Sequence, residues 1–306
     1  MSNTSFTFVT PDHVEIFVRK WAPDTDAPKA VVQAAHGAAE HSRRYERFAH
    51  FLNAAGFVVY ADDHRGHGET AQRSGKLGIT GEDAWNAMVK DEKQLTDIIR
   101  NEYPNRPLFL FGHSMGSMLA QDYVARWGKD LKGVVLSGTS GFIPNLDAVV
   151  AVAEQAAQGA AAQEPSGVYG QMFASFNTAF APAKTGFEWL SRDEAEVQKY
   201  VSDPSCGFPF SGGLTRDFMK GLRDMWQPGK EANIPKNLPI LIVSGNLDPV
   251  GGNTLAIMPL IERYKSYGIQ DLTYKFYPEA RHEILNEINR NEVQQDILDW
   301  LNNHLR

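Results

Sequence analysis

The segment Gly112-His113-Ser114-Met115-Gly116 stands between an apolar run, Pro107-Leu108-Phe109-Leu110-Phe111, and a stretch with helical apolar spacing, Met115 to Trp127. Gly-x-Ser-x-Gly alone occurs by chance in many loops. A buried strand before it and a helix after it supply the context of a nucleophile elbow. The flanking glycines let the chain turn tightly, and the residue between them is forced into a strained conformation that lifts its hydroxyl clear of the backbone. The chemistry this predicts is covalent acyl transfer with Ser114 as the nucleophile.

A serine hydroxyl has too high a pKa to attack at neutral pH, so it needs a neutral imidazole to take its proton and an acid to orient that imidazole. In strand–elbow–helix sites the acid and then the histidine follow the serine, each on a loop at the carboxyl end of a strand. Of nine histidines only His282 and His304 satisfy that order. His304 falls in a terminal helical stretch, whereas His282 follows the strand-like Leu272 to Tyr277 through Pro278-Glu279-Ala280-Arg281, so His282 is the expected base. Asp248, just past the apolar run Leu241-Ile242-Val243 in a Gly/Pro turn, is the expected acid, with Glu279 as runner-up. The oxyanion of a tetrahedral intermediate requires two preorganised N–H donors. Met115, the residue after the nucleophile, supplies one, and Ala38, in the turn His36-Gly37-Ala38-Ala39 after the strand Ala30 to Ala35, is chosen for the other.

These residues must be held at strand ends. The sequence predicts an opening β-hairpin (Phe6 to Val9, Val14 to Trp21) and strands at Ala30 to Ala35, Phe57 to Ala61, Leu108 to Phe111, Gly133 to Leu136, Pro239 to Val243 and Leu272 to Tyr277. Helices are predicted at Arg43 to Ala55, Glu82 to Glu102, Met115 to Trp127, Asn253 to Tyr267 and Glu292 to His304. Continuous apolar strands alternating with helices mean a parallel sheet covered on both faces. Between Gly138 and the next sheet strand about a hundred residues pass, too many for a loop, so this stretch must hold structure of its own. The expected organisation is a core of residues 1–140 and 237–306 with an inserted cap at 141–236.

With 306 residues, 42% hydrophobic, the chain can bury a large core. A net charge of −7 without clustered Lys/Arg argues against nucleic acid as a partner. A lone cysteine, Cys206, excludes an internal disulfide and a cysteine-based zinc site. That, together with the lack of a signal-like N-terminus or a long apolar stretch, leads to the expectation of a cytoplasmic protein with no spanning segment. No cofactor and no metal are expected. His64, Arg65 and His67 are read as holding their glycine-rich loop together, and Glu40 and His41 as fastening the oxyanion turn. Phe173, Phe176, Phe180, Trp189 and Phe208 are read first as core of the cap, and Phe173, Phe180, Trp189 and Phe208 are the candidates for an acyl pocket, since such pockets are mostly apolar. The Asn145 to Ala153 face is read first as solvent-covered packing, with transient contact with a lipid surface as the alternative; oligomeric state is not readable.

Taken together, His36-Gly37-Ala38-Ala39-Glu40-His41-Ser42, the Asp63 to Gly68 loop, Gly112-His113-Ser114-Met115-Gly116, Asp248-Pro249-Val250 and Ala280-Arg281-His282-Glu283 resemble the monoacylglycerol lipase and lysophospholipase-like branch of the α/β-hydrolases over nearly the whole chain. The resemblance implies an α/β-hydrolase fold, a mostly parallel eight-stranded sheet with a helical cap inserted after the sixth strand, and hydrolysis of small lipid-like esters. It places Ser114, Asp248 and His282 on the family's triad and Ala38 and Met115 on its oxyanion donors. Ala39 departs from a frequent Gly and implies a tighter acyl side. Trp189-Leu190-Ser191-Arg192-Asp193 resembles a cap segment of bacterial members. Monoacylglycerols and short to medium simple esters are the expected substrates. Lysophospholipids, acyl transfer and amide hydrolysis use the same residues and stay open, and an idle binding protein on this fold is disfavoured by the complete set.

Overall fold

Alternation along the inner strands decides which residues cover which face. In the computed structural model, which describes residues 2–25, 27–141 and 143–305, eight strands form one sheet. They are β1 (Ser2–Val9), β2 (Glu15–Ala22), β3 (Ala30–Ala35), β4 (Phe57–Asp62), β5 (Leu108–His113), β6 (Gly133–Ser137), β7 (Ile240–Gly245) and β8 (Leu272–Tyr277). Their order is β1-β2-β4-β3-β5-β6-β7-β8, antiparallel at β1–β2 and β2–β4 and parallel elsewhere.

Successive side chains of a strand point to opposite faces. Val32 and Ala34, Phe109 and Phe111, and Leu241 and Val243 therefore meet Tyr45, with Phe48 and Leu52 of α1 (Glu46–Ala54), and Val293, Ile297 and Leu301 of α10 (Arg290–Asn303). Their neighbours Val31, Leu108, Leu110, Ile240 and Ile242 meet the other face. There lie α3 (Ala84–Glu102), α4 (Met115–Trp127) and α9 (Met258–Ser266), with the short α2 (Gly68–Ser74) beside β2.

Between β6 and β7 the chain forms α5 (Leu146–Ala156), α6 (Gly167–Phe176), α7 (Glu194–Ser202) and α8 (Gly212–Met225). Ser166, Asp193 and Ser211 cap the last three by accepting hydrogen bonds from first-turn N–H groups. Helix α8 is strongly amphipathic and buries Leu214, Phe218, Met219, Leu222 and Met225 in the same apolar cluster as Leu119 of α4 and Trp85 of α3. Gly221 makes the α3–α8 approach close enough that a β-carbon there would stand 2.0 Å from the Trp85 ring. The segment thus shares its main core with the sheet, and a small cluster of Trp189, Leu190 and Tyr200 is its own.

Two sequence expectations shift, and one helix was not anticipated. α2 begins at the end of the Asp63 to Gly68 loop and runs through a stretch where no element was predicted, because Gly-Glu-Thr-Ala-Gln-Arg-Ser has no apolar period. The helix expected from Arg43 opens as a 3-10 turn, Ser42–Tyr45. That expected from Asn253 begins only at Met258, because Asn253 and Thr254 have positive φ. Among the described residues no helix is long and apolar enough to cross a membrane.

Candidate active site

Ser114 stands between the end of β5 and the start of α4 with φ 52° and ψ −122°. For a residue with a side chain this conformation costs on the order of 1–3 kcal/mol and persists only where the surroundings impose it. The two glycines are what allow it: a β-carbon on Gly112 would stand 2.4 Å from the Gly116 carbonyl oxygen, and one on Gly116 would stand 2.2 Å from that of Ala35. The Ser114 N–H donates to Ser137 O (2.9 Å), and the Ser114 carbonyl accepts from Ser117 N, Met118 N and Ser117 Oγ.

His282 and Asp248 come together from two separate strand ends. His282 Nδ1 lies 3.0 Å from both Asp248 carboxylate oxygens, which also accept from Ser244 Oγ (3.0 Å) and Val250 N (2.9 Å). Both side chains are buried. Burial works against the His282 cation, yet the facing Asp248 carboxylate outweighs it and holds the imidazole pKa above its usual value. Burial likewise works against the Asp248 anion, and His282, Val250 and Ser244 pull its pKa below the usual carboxylate range. Gly138, at φ 56°, makes room for the ring, since a β-carbon there would be 3.1 Å from it. The runner-up acid Glu279 does not face His282: its side chain is 82% exposed and lies 3.6 Å from Arg192. His304 pairs with Asp271.

In the turn after β3, the Gly37 N–H is taken up by Glu40 Oε1 at 2.6 Å, and Glu40 also accepts from Tyr45 and Arg44. Gly37 is therefore engaged, and Ala38 offers the next N–H of the turn. Ala38 and Met115 both line the cavity at Ser114. As the first residue of α4, Met115 has an N–H without an intrahelical acceptor. Ala39 adopts φ 52°, the left-handed region where glycine is favoured, and its carbonyl accepts from Gly207 N and Tyr200 OH. Ala39 is buried in the main apolar cluster and borders a second cavity, whereas Ala38 borders the one at Ser114, so the departure from glycine costs backbone strain.

The cavity at Ser114 measures about 490 Å³ and is walled mainly by apolar groups, among them Met118, Met172, Phe176, Leu222 and Val250. Of the four expected acyl-pocket residues, Phe173 and Trp189 line it. Phe208 does not; it borders the second cavity, of about 620 Å³, and packs edge-on to His67. Phe180 lies under the Arg281 guanidinium, 4.4 Å from ring centroid to carbon. Sequence reading missed how closely Trp189-Leu190 engages the expected base: Trp189 O and Leu190 O accept from His282 N and Glu283 N, and Arg281 donates to Glu188 O and Ser191 O. The motif Trp189 to Asp193 was the available signal.

Two groups of the described residues bring three potential metal ligands within 4.8 Å of one another: His41, Asp203 and Cys206, and Asp62, His64 and Glu92. In each the members engage one another, His41 with Asp203 at 3.0 Å and His64 with Asp62 at 3.0 Å. Asp62 is a near neighbour of His64 in the chain, but Glu92, 28 residues away, was invisible to local spacing.

A mostly parallel eight-stranded sheet with a strained serine at the end of an inner strand is the architecture of the α/β-hydrolases, and the chain is a serine hydrolase of that fold. The profile of the family described as "Serine aminopeptidase, S33" matches residues 26–289, and the chain belongs to that family. It is 32% identical over 312 residues to the monoacylglycerol lipase of Mycolicibacterium smegmatis, covering 99% of each chain. It is 30% identical to the monoglyceride lipase of Homo sapiens, over 96% of this chain and 88% of that one. A thermostable carboxyl esterase from Bacillus coagulans, solved with glycerol, superposes with a TM-score of 0.93 at 32% identity, covering both chains in full.

Proposed function

We propose that the protein hydrolyses monoacylglycerols and similar small, uncharged esters through an acyl-enzyme. His282 takes the Ser114 proton as Ser114 Oγ attacks the ester carbonyl carbon, with Asp248 holding the imidazole and its developing charge. The carbonyl oxygen, now an oxyanion, is met by the N–H groups of Ala38 and Met115. Collapse expels the alcohol, which receives the proton from His282, and water then cleaves the acyl-serine by the same sequence in reverse.

The observation that carries this reading is the character of the cavity on which Ser114 opens. Among the described residues, none that lines it carries a charge. An aminopeptidase would need a carboxylate there for the substrate's α-ammonium group, and a lysophospholipase would need a cation for the phosphate. A volume of about 490 Å³ suits one acyl chain, whose burial contributes about 0.8 kcal/mol per methylene. The names and near-complete coverage of the M. smegmatis and human relatives point the same way.

We further infer that residues 141–236 act as a cap that selects substrate and contributes no triad member, with the exposed Val152 on α5 a point of transient contact with a lipid surface. A cytoplasmic setting accords with the single thiol. The test is kcat/KM for monocaprylin, tricaprylin and a lysophosphatidylcholine under matched sub-micellar conditions. The monoester should lead by tenfold or more, and preference for the lysophospholipid would overturn the substrate assignment.

A further inference from the structure

His36, the residue immediately after β3, is wholly buried and makes two contacts with opposite demands. Its Nε2 lies 3.0 Å from the backbone N–H of His64 and must accept that hydrogen bond. A ring nitrogen that accepts carries no proton, so the neutral ring bears its proton on Nδ1, which donates to Gly37 O at 2.7 Å. The Gly37 carbonyl and the Ala38 N–H belong to one planar trans peptide, in which N–H and C=O point in opposite directions. Fixing that oxygen therefore aims the Ala38 N–H. The preceding peptide is fixed from the other side, where Glu40 Oε1 accepts from Gly37 N.

The side chain of His64 secures this arrangement. Its ring stacks on that of His36, with centroids 3.9 Å apart and planes inclined by 29°. Its Nε2 reaches His36 O at 3.1 Å, and its Nδ1 faces Asp62 Oδ2 at 3.0 Å and Glu92 Oε1 at 3.4 Å. Burial and the neighbouring Asp62 hold the Glu92 carboxyl well above its usual range. His36 O can only accept, and Asp62 presents a carboxylate oxygen to Nδ1, so both His64 nitrogens are protonated and the ring is a cation. Burial opposes that charge, but Asp62 and Glu92 outweigh it and push the His64 pKa up to about 9. Burial, together with the adjoining His64, holds His36 well below its usual value, neutral and in one tautomer. Neither histidine lines the cavity at Ser114.

We propose that His64 is a positioning residue for ester hydrolysis: acting through His36 and the Gly37–Ala38 peptide, it sets the direction of the oxyanion-binding N–H of Ala38. This rests on the reading of Ser114 as nucleophile and Ala38 as donor. Complete loss of one oxyanion donor costs about 10²–10³ in kcat, so a misdirected donor should cost about ten- to a hundredfold.

The experiment compares full-length wild type, His64→Leu and His64→Gln. His64→Leu removes the donor to His36 O, while the Gln amide can restore it. Each protein is assayed with p-nitrophenyl butyrate for kcat and KM. Its affinity for butylboronic acid, whose serine adduct mimics the tetrahedral intermediate, is measured in parallel. For His64→Leu, kcat should fall at least tenfold with KM within about threefold, boronate affinity should fall with kcat, and His64→Gln should recover most of both. A folded His64→Leu that keeps kcat and boronate affinity within about threefold overturns the proposal. Should His64→Leu fail to fold, the decision passes to ¹⁵N-histidine spectra of wild type at neutral pH. His36 with its proton on Nδ1 beside a doubly protonated His64 supports the relay, and a proton on His36 Nε2 or a metal bound at His64 overturns it. Failure of the underlying reading has a separate signature, retention of hydrolysis by Ser114→Ala.

Discussion

The indole of Trp189 lies over the imidazole of His282, ring centroids 5.0 Å apart and planes inclined by 35°, while the Trp189 carbonyl accepts the His282 N–H. A side chain from the segment between β6 and β7 thus covers the proposed base and also walls the cavity on which Ser114 opens. Water exclusion at the base and substrate enclosure are joined in one residue, so a change there should be felt in both.

Trp189→Ala should therefore lower kcat/KM for p-nitrophenyl octanoate by about tenfold or more, with a smaller loss for the acetate, because the octanoate also loses apolar contact. Steady-state kinetics on both esters check this. Equal losses would mean that Trp189 acts on the base alone.

The pH profile follows from the His282–Asp248 pair. The base works when neutral, and its pKa is held above the ordinary 6.5, so the acid limb of kcat/KM should have its midpoint above 6.5. Asp248→Asn removes the group that raises it. The limb should then move to lower pH while kcat falls by about 10⁴. Stability runs the other way. The raised His282 pKa contributes stability that is complete below 6.5 and lost as pH rises through the folded value. The lowered Asp248 pKa contributes stability present above 3.8 and lost as pH falls below it. Denaturant titrations between pH 4 and 9 should show the pair's contribution declining where activity rises, a trend absent in Asp248→Asn.

Phe173 and Phe180 separate selectivity from structure. Phe173 walls the cavity at Ser114, whereas Phe180 packs beneath Arg281. Phe173→Ala should shift the optimum of an ester chain-length series. Phe180→Ala should leave the optimum in place and lower the melting temperature. Identical profiles for wild type and Phe173→Ala would remove Phe173 from the pocket.

The inner strands were legible in the sequence because each is a short apolar run buried on both faces, and the elbow because two glycines and a strand–helix context leave few alternatives. Chain order then pointed to Asp248 and His282, which converge from turns 34 residues apart. What could not be read was set by long-range packing. Nothing local tells that Phe180 serves Arg281 while Phe173 faces Ser114, or that Glu92 in the middle of α3 reaches His64. The left-handed Ala39 shows the same limit: the departure from glycine was visible, but the conformation it adopts and the cavity it borders were not.

Two glycines of the β6–β7 segment should respond oppositely to alanine. At Gly221 the added carbon meets the buried Trp85 ring, whose Nε1 donates to Asp122, and overpacking should cost about 1–3 kcal/mol. At Gly170, inside α6, it meets nothing within 4 Å, and Gly170→Ala should stabilise by about 0.4–1 kcal/mol. Urea unfolding of the two variants measures both signs, and a neutral Gly221→Ala would contradict the close α3–α8 packing.

The central claim is that Ser114 forms the acyl-enzyme. It is tested most directly by treating the protein with an alkyl fluorophosphonate, mapping the modified peptide by mass spectrometry, and assaying Ser114→Ala for monocaprylin hydrolysis. A single adduct on Ser114, absent from a folded Ser114→Ala whose kcat is reduced by about 10⁴ or more, is the predicted result. An adduct on another residue, or a folded Ser114→Ala that hydrolyses monocaprylin at close to the wild-type rate, would contradict it.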